Sequence, residues 1–139
     1  MRLLRKILLM TPALLLLAVS LPACSKPQEE RFPSFVYSTA GSLESYRAAS
    51  SLPRDVMTSI PCYCGCAAAP SDHKILLDCF YDKDGNYTDH ASGCDICGKI
   101  ALDVQAKHRQ GMSLKEIRAF IDSKYSIYGK ATNTPPVEK

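Results

Sequence analysis

The segment Pro61-Cys62-Tyr63-Cys64-Gly65-Cys66 places three cysteines at every second position. Side chains alternate faces along an extended chain, so the three sulfurs would line one side, with Tyr63 and Gly65 on the other. Thiols this close suit one metal ion or a thiol relay better than a disulfide, which needs Cα atoms ~4.4–6.8 Å apart in a narrow orientation. Cys79, Cys94, Cys97, His73 and His90 complete a candidate ligand set with Cys62, Cys64 and Cys66. Soft thiolates select copper(I), zinc or an iron–sulfur centre. Eight donors exceed one tetrahedral site, so the set calls for two sites, or one site and one disulfide.

Cys94-x-x-Cys97 opens a predicted helix. Free N–H groups and the helix dipole there favour a thiolate on the first cysteine, which serves metal binding and thiol exchange equally. In the exchange reading Cys94 is the nucleophile and Cys97 resolves the mixed disulfide. No histidine follows Cys97, so the pair is not a c-type haem site. No Ser-His-Asp set, carboxylate pair or Gly-rich phosphate loop is present, and neither haem nor nucleotide is expected. A third reading is a disulfide-stapled binding module, because the six cysteines beyond Cys24 form an even set. His108, near a helix end, reads as a surface residue.

The elements that must hold these groups are short. Ser42 to Ala49 reads as a weak helix capped by Ser42 and stopped by Pro53, and Asp55 to Ile60 as one more helical turn. Pro61 fixes the entry into the cysteine strip, and Ala67 to Asp72 is a turn leading to His73. Ile75 to Tyr81 reads as a strand, Asp82 to Asn86 as a turn, and Tyr87 to His90 as a return strand. A two-residue Asp84-Gly85 turn would set Cys79 opposite His90. Asp82-x-Asp84-Gly85-Asn86 resembles the start of a calcium loop but lacks the full spacing and closing glutamate, so it reads as a plain turn. Ile96, Ile100 and Val104 mark a helix ended by Gly111. Ser113-x-x-Glu116 is a capping box for a second helix, with Leu114, Ile117, Phe120, Ile121 and Tyr125 as its apolar face. The two helices are expected to pack antiparallel and supply most of the core. The fold class is therefore α+β, mainly α: a small helical domain with a C-terminal antiparallel helix pair and one short β-hairpin.

Residues 1–23 have the three parts of a secretory signal: Arg2, Arg5 and Lys6, then the apolar run Ile7 to Ser20, then Leu21-Pro22-Ala23 before Cys24. The ending resembles a bacterial lipobox, which implies lipidation of Cys24, for example by palmitate, and an acyl anchor in the membrane. Residues 24–41 read as a flexible tether, 42–128 as the cysteine-rich domain and 129–139 as a disordered tail. Of the 17 Lys and Arg, removing the three in the leader leaves 14 against 14 Asp and Glu. A neutral chain lacks the electrostatic basis for nucleic-acid binding. The expected partners are the membrane through the lipid on Cys24, a metal ion and a protein of the cell envelope. The expected location is the bacterial envelope, outside the cytoplasm.

The strip Pro61 to Cys66, then His73, Cys79-Phe80, Asp89-His90, Cys94-x-x-Cys97 and Gly111-x-Ser113-Leu114-Lys115-Glu116-Ile117-Arg118 resembles the PCYCGC-motif family of bacterial lipoproteins, from about Tyr46 to Tyr128. The family commonly has a further glycine where this chain has Ala67. The resemblance implies an exported lipoprotein with a shared cysteine frame and no particular activity. Cys94 to Gly129 is also similar to the thiol reductase subunit of cytochrome c maturation, through its Cys-x-x-Cys helix, Gly-x-Ser and aromatic-ended second helix.

Overall fold

Helix α1, Ser42–Ser50, buries Ser45, Tyr46, Ala48 and Ala49. The computed structural model describes residues 31–65 and 73–137. The leader, Cys24, Cys66 and the turn expected at Ala67 to Asp72 lie outside the described residues. Within them the order is a 3₁₀ turn at Ser34–Tyr37, α1, α2 at Arg54–Thr58, α3 at Leu76–Phe80, a second 3₁₀ turn at His90–Gly93, α4 at Asp95–Arg109 and α5 at Leu114–Tyr125. No helix among the described residues is long and apolar enough to cross a membrane.

Several expectations need correction. The Ile75–Tyr81 strand is instead α3. Asp78 Oδ2 accepts from the backbone N–H groups of Lys74 and Ile75 at 2.9 and 3.2 Å, which starts a helix. Leu76, Cys79 and Phe80 then fall at helical spacing and are fully buried. With that strand gone, no strand remains among the described residues, and the expected hairpin reduces to an isolated antiparallel bridge between Tyr81 and Tyr87. That bridge lies one residue out of the expected register. The Asp82 carboxylate accepts from the N–H groups of Asp84 and Asn86 at 2.9 and 2.8 Å, holding an open loop in place of a two-residue turn.

Packing extends beyond the helices at both ends. Within the segment expected as a tether, Phe32 and Val36 are buried, and Phe32 packs its ring against Tyr46 and Tyr87. At the other end Thr132 and Thr134 are buried, so the segment expected to be a disordered tail is packed through residue 134. Ser42 is the first residue of α1 with Gly41 at the cap position, and the Ser42 hydroxyl is buried without a hydrogen-bond partner among the described residues.

Helices α4 and α5 are antiparallel as expected. Lys107 lies over the Phe120 ring, and farther back along α4 Asp103 meets Lys124 and Tyr125, farther along α5. The capping box forms: the Glu116 N–H reaches Ser113 Oγ, and the Ser113 N–H donates to Glu116 Oε2 at 2.8 Å. The pair does not supply most of the core, however. Tyr46, Met57, Ile60, Leu76 and Phe80 are as deeply buried as Ile100, Val104, Ile117 and Ile121. Helix α1 approaches α4 closely because Gly98 faces Ser45; a Cβ added at Gly98 would lie 3.2 Å from Ser45 Cβ.

Candidate metal centre

Three chain segments deliver sulfur to one point. The first is the strip. Pro61 bridges to Ile75, and the Leu76 N–H donates to Ile60 O at 2.8 Å, so the strip runs beside the start of α3. Period-two alternation holds where it can be seen. Cys62 and Cys64 point to one side with their sulfurs 2.9 Å apart, while Tyr63 points away to hydrogen-bond Asp122 of α5. Asp122 is gripped by Arg118 Nε at 2.9 and 3.0 Å, and Arg118 Nη1 also donates to Ser59 O and Pro135 O. The second segment is α3, which places Cys79 in the interior one turn from its start. The third is the first turn of α4, where Cys94 occupies the cap position, half-buried, and Cys97 is fully buried.

The C-terminal segment closes the strip from behind, a contribution the sequence reading missed. The Cys62 N–H donates to Thr132 Oγ1 at 2.9 Å, and the Thr132 N–H returns a bond to Cys62 O at 3.1 Å. The Thr132 hydroxyl donates in turn to Lys74 O, as does that of Thr134. Gly129 permits this approach, since a Cβ there would stand 2.7 Å from Tyr63 O. The alternation Thr132-x-Thr134 was the available signal, a period-two pattern hidden among residues typical of a loose tail.

The sulfurs form a connected cluster. Cys97 Sγ lies 3.9 Å from Cys62 Sγ, 3.8 Å from Cys64 Sγ and 3.2 Å from Cys79 Sγ, and Cys79 lies 3.9 Å from Cys62. Among the described cysteines none is at disulfide-bonding distance from another. Donor atoms fall into three overlapping sets, each within 4.8 Å: Cys64, His90, Cys94 and Cys97; Cys62, Cys79 and Cys97; and His73, Cys79 and His90. All described members of the expected ligand set are thus brought together. His90 reaches Cys79 because a 3₁₀ turn carries it there, not through hairpin pairing. His108 is apart from the cluster, on the exposed end of α4.

Two observations test whether a metal fits. The point equidistant from the sulfurs of Cys62, Cys79 and Cys97 lies about 2.1 Å from each, close to a zinc–thiolate bond of ~2.3 Å. The 3.8–3.9 Å separations also match the ~3.8 Å edge of a tetrahedron with such bonds. Second, His73 Nδ1 is buried with no hydrogen-bond partner among the described residues, beside His90 at a ring separation of 4.3 Å. A buried orphan of this kind costs ~1–3 kcal/mol unless a ligand satisfies it. The donors present fit a soft ion.

Electrostatics points the same way. Five thiols in contact cannot all ionise, because adjacent thiolates repel. Hydrogen bonds with Cys64 lower the Cys62 thiol, and those with Cys62 and Cys97 pull Cys79 down to about 6. Cys97 is pushed strongly upward by its hydrogen bonds to Cys62, Cys64 and Cys79, and by burial. Of these three thiols Cys97, at the centre of the cluster, holds its proton most strongly, and a bound cation would displace it. Beside Cys94 a groove of about 250 Å³ is lined by Gly41, Ser42, Ser45, Gly98 and Lys99, giving this edge of the cluster a route to the surface.

No curated protein and no solved structure matches the chain. Residues 17–137 match the family model described as protein of unknown function with PCYCGC motif, and the chain belongs to that family.

Proposed function

We propose that this protein is a membrane-tethered, extracytoplasmic lipoprotein that binds a soft metal ion, copper(I) or zinc, as a carrier or buffer. The observation that carries the reading is the convergence of Cys62, Cys64, Cys79, Cys94 and Cys97 with His73 and His90 on one small volume. The groove beside Cys94 would let an acceptor exchange ligands with the bound ion. Lipid on Cys24 would hold the domain at the envelope surface, with the metal source or acceptor in a neighbouring envelope protein.

Native mass spectrometry of the full chain, purified anaerobically, tests this. Bound zinc or copper that protects the thiols from alkylation until a chelator is added is the expected result, with lower metal content after Cys64→Ser. A chain that takes up neither ion at micromolar concentration sinks the reading. An alkyne fatty acid incorporated by the wild type and not by Cys24→Ser checks the anchor.

The half-buried position of Cys94 on that groove, with Cys97 beneath it, favours thiol–disulfide exchange as the second reading. There Cys97→Ser would trap a mixed disulfide between Cys94 and a partner protein. Absence of any trapped species would remove that reading.

A further inference from the structure

We infer that Cys97 bridges two metal ions, so that the centre is a thiolate-bridged pair and not a single-ion site. The inference rests on the metal-binding reading and adds the number of ions and the residue that joins them. Cys97 Sγ belongs to two donor sets at once, the three-sulfur set with Cys62 and Cys79 and the set with Cys64, Cys94 and His90. Together these supply six donors. Zinc takes four, and a copper(I) or zinc ion at the three-sulfur point is already ringed by Cys62, Cys79 and Cys97. One ion therefore leaves two or three of the six donors unused.

The shared atom has the chemistry a bridge requires. A thiolate sulfur has several lone pairs and can bond two ions, whereas one imidazole nitrogen has a single lone pair for one metal. His90 and Cys79 are also shared between sets, but only Cys97 joins the two sets that contain three sulfurs each. Its position is rigid: it sits in the first turn of α4, fully buried, and the next residue, Gly98, is packed against Ser45. On binding, each ligating thiol that still carries a proton releases it to solvent. Cys97 gives up one proton and gains two metal–sulfur bonds, with no change in oxidation state.

The test is a titration of the reduced full-length chain with cadmium-113 chloride under argon, read by cadmium NMR. Cadmium(II) stands in for zinc. Uptake is expected to end at two ions per chain, giving two resonances each split by coupling to the other through the shared sulfur. Cys97→Ser is expected to lose the splitting and one ion. Because the splitting is read in the wild type, a variant that fails to fold does not decide the matter. A single resonance at saturation, or two without mutual splitting, overturns the bridge and leaves metal binding standing. No cadmium uptake overturns both.

Discussion

The first turn of α4 and its later turns bury different chemistry on one continuous stripe. At Cys97 the stripe meets the sulfurs of Cys62, Cys64 and Cys79; from Ile100 onward it enters the same apolar core as Ile117 and Ile121 of α5. The aliphatic half is stabilised by leaving water, whatever else is present. The sulfur half is polar and ionisable, and its members lean on one another for hydrogen bonds. Stability of the fold and occupancy of the site should therefore come apart experimentally.

The strongest way to break that contrast is to damage the aliphatic half. Ile121→Ala should cost ~2–5 kcal/mol in urea unfolding of the metal-free chain, with ion stoichiometry of the folded variant unchanged. Loss of stoichiometry there would show that the halves are one unit. The reciprocal test is metal removal. Free ion at a hundred times its dissociation constant should raise wild-type stability by about 2.7 kcal/mol for each site filled, and chelation should remove that gain. Cys79→Ala should remove the part of the gain that comes from the three-sulfur site while costing only about 1 kcal/mol in the metal-free chain.

Gly129→Ala probes the join between strip and tail. The added methyl would meet Tyr63 O, so a loss of ~1–3 kcal/mol is expected together with weaker ion binding, measured by chelator competition. Unchanged affinity would mean that the backing of the strip does not set its sulfur positions.

The smallest effect lies in the aromatic cluster. Tyr46 donates to Thr88 O, and burial pushes its hydroxyl up from 10.0 to about 12. A raised value contributes stability that is complete below pH 10 and is lost as pH rises through about 12. Tyr46→Phe should cost ~1 kcal/mol at neutral pH and flatten the alkaline loss, as followed by circular dichroism.

How much of this could be read in advance depended on how local the cause was. The spacing of Cys62 and Cys64 dictated a common face, and Ser113 with Glu116 dictated where α5 begins; both rest on neighbouring residues and both hold. The apolar run from Ile75 to Tyr81 was ambiguous by composition, and Asp78, one carboxylate reaching two N–H groups, turned it into a helix. Cys79 and His90 do end up close, although the expected hairpin register is not the cause. What stayed hidden was long-range. Nothing near Thr132 announces that it pairs with Cys62, and nothing near Phe32 announces its place against Tyr46.

The clamp of Thr132 on Cys62 joins residues 70 positions apart. A chain emerging from its N-terminus displays every cysteine long before Thr132 appears. Contacts of such separation form late, since the intervening loop must close first. The strip is thus the earliest part of the centre to be made and the last to be fixed. An ion that bound before the tail docked would meet loose thiols of another geometry, so under the metal-binding proposal faithful loading would belong to the finished chain.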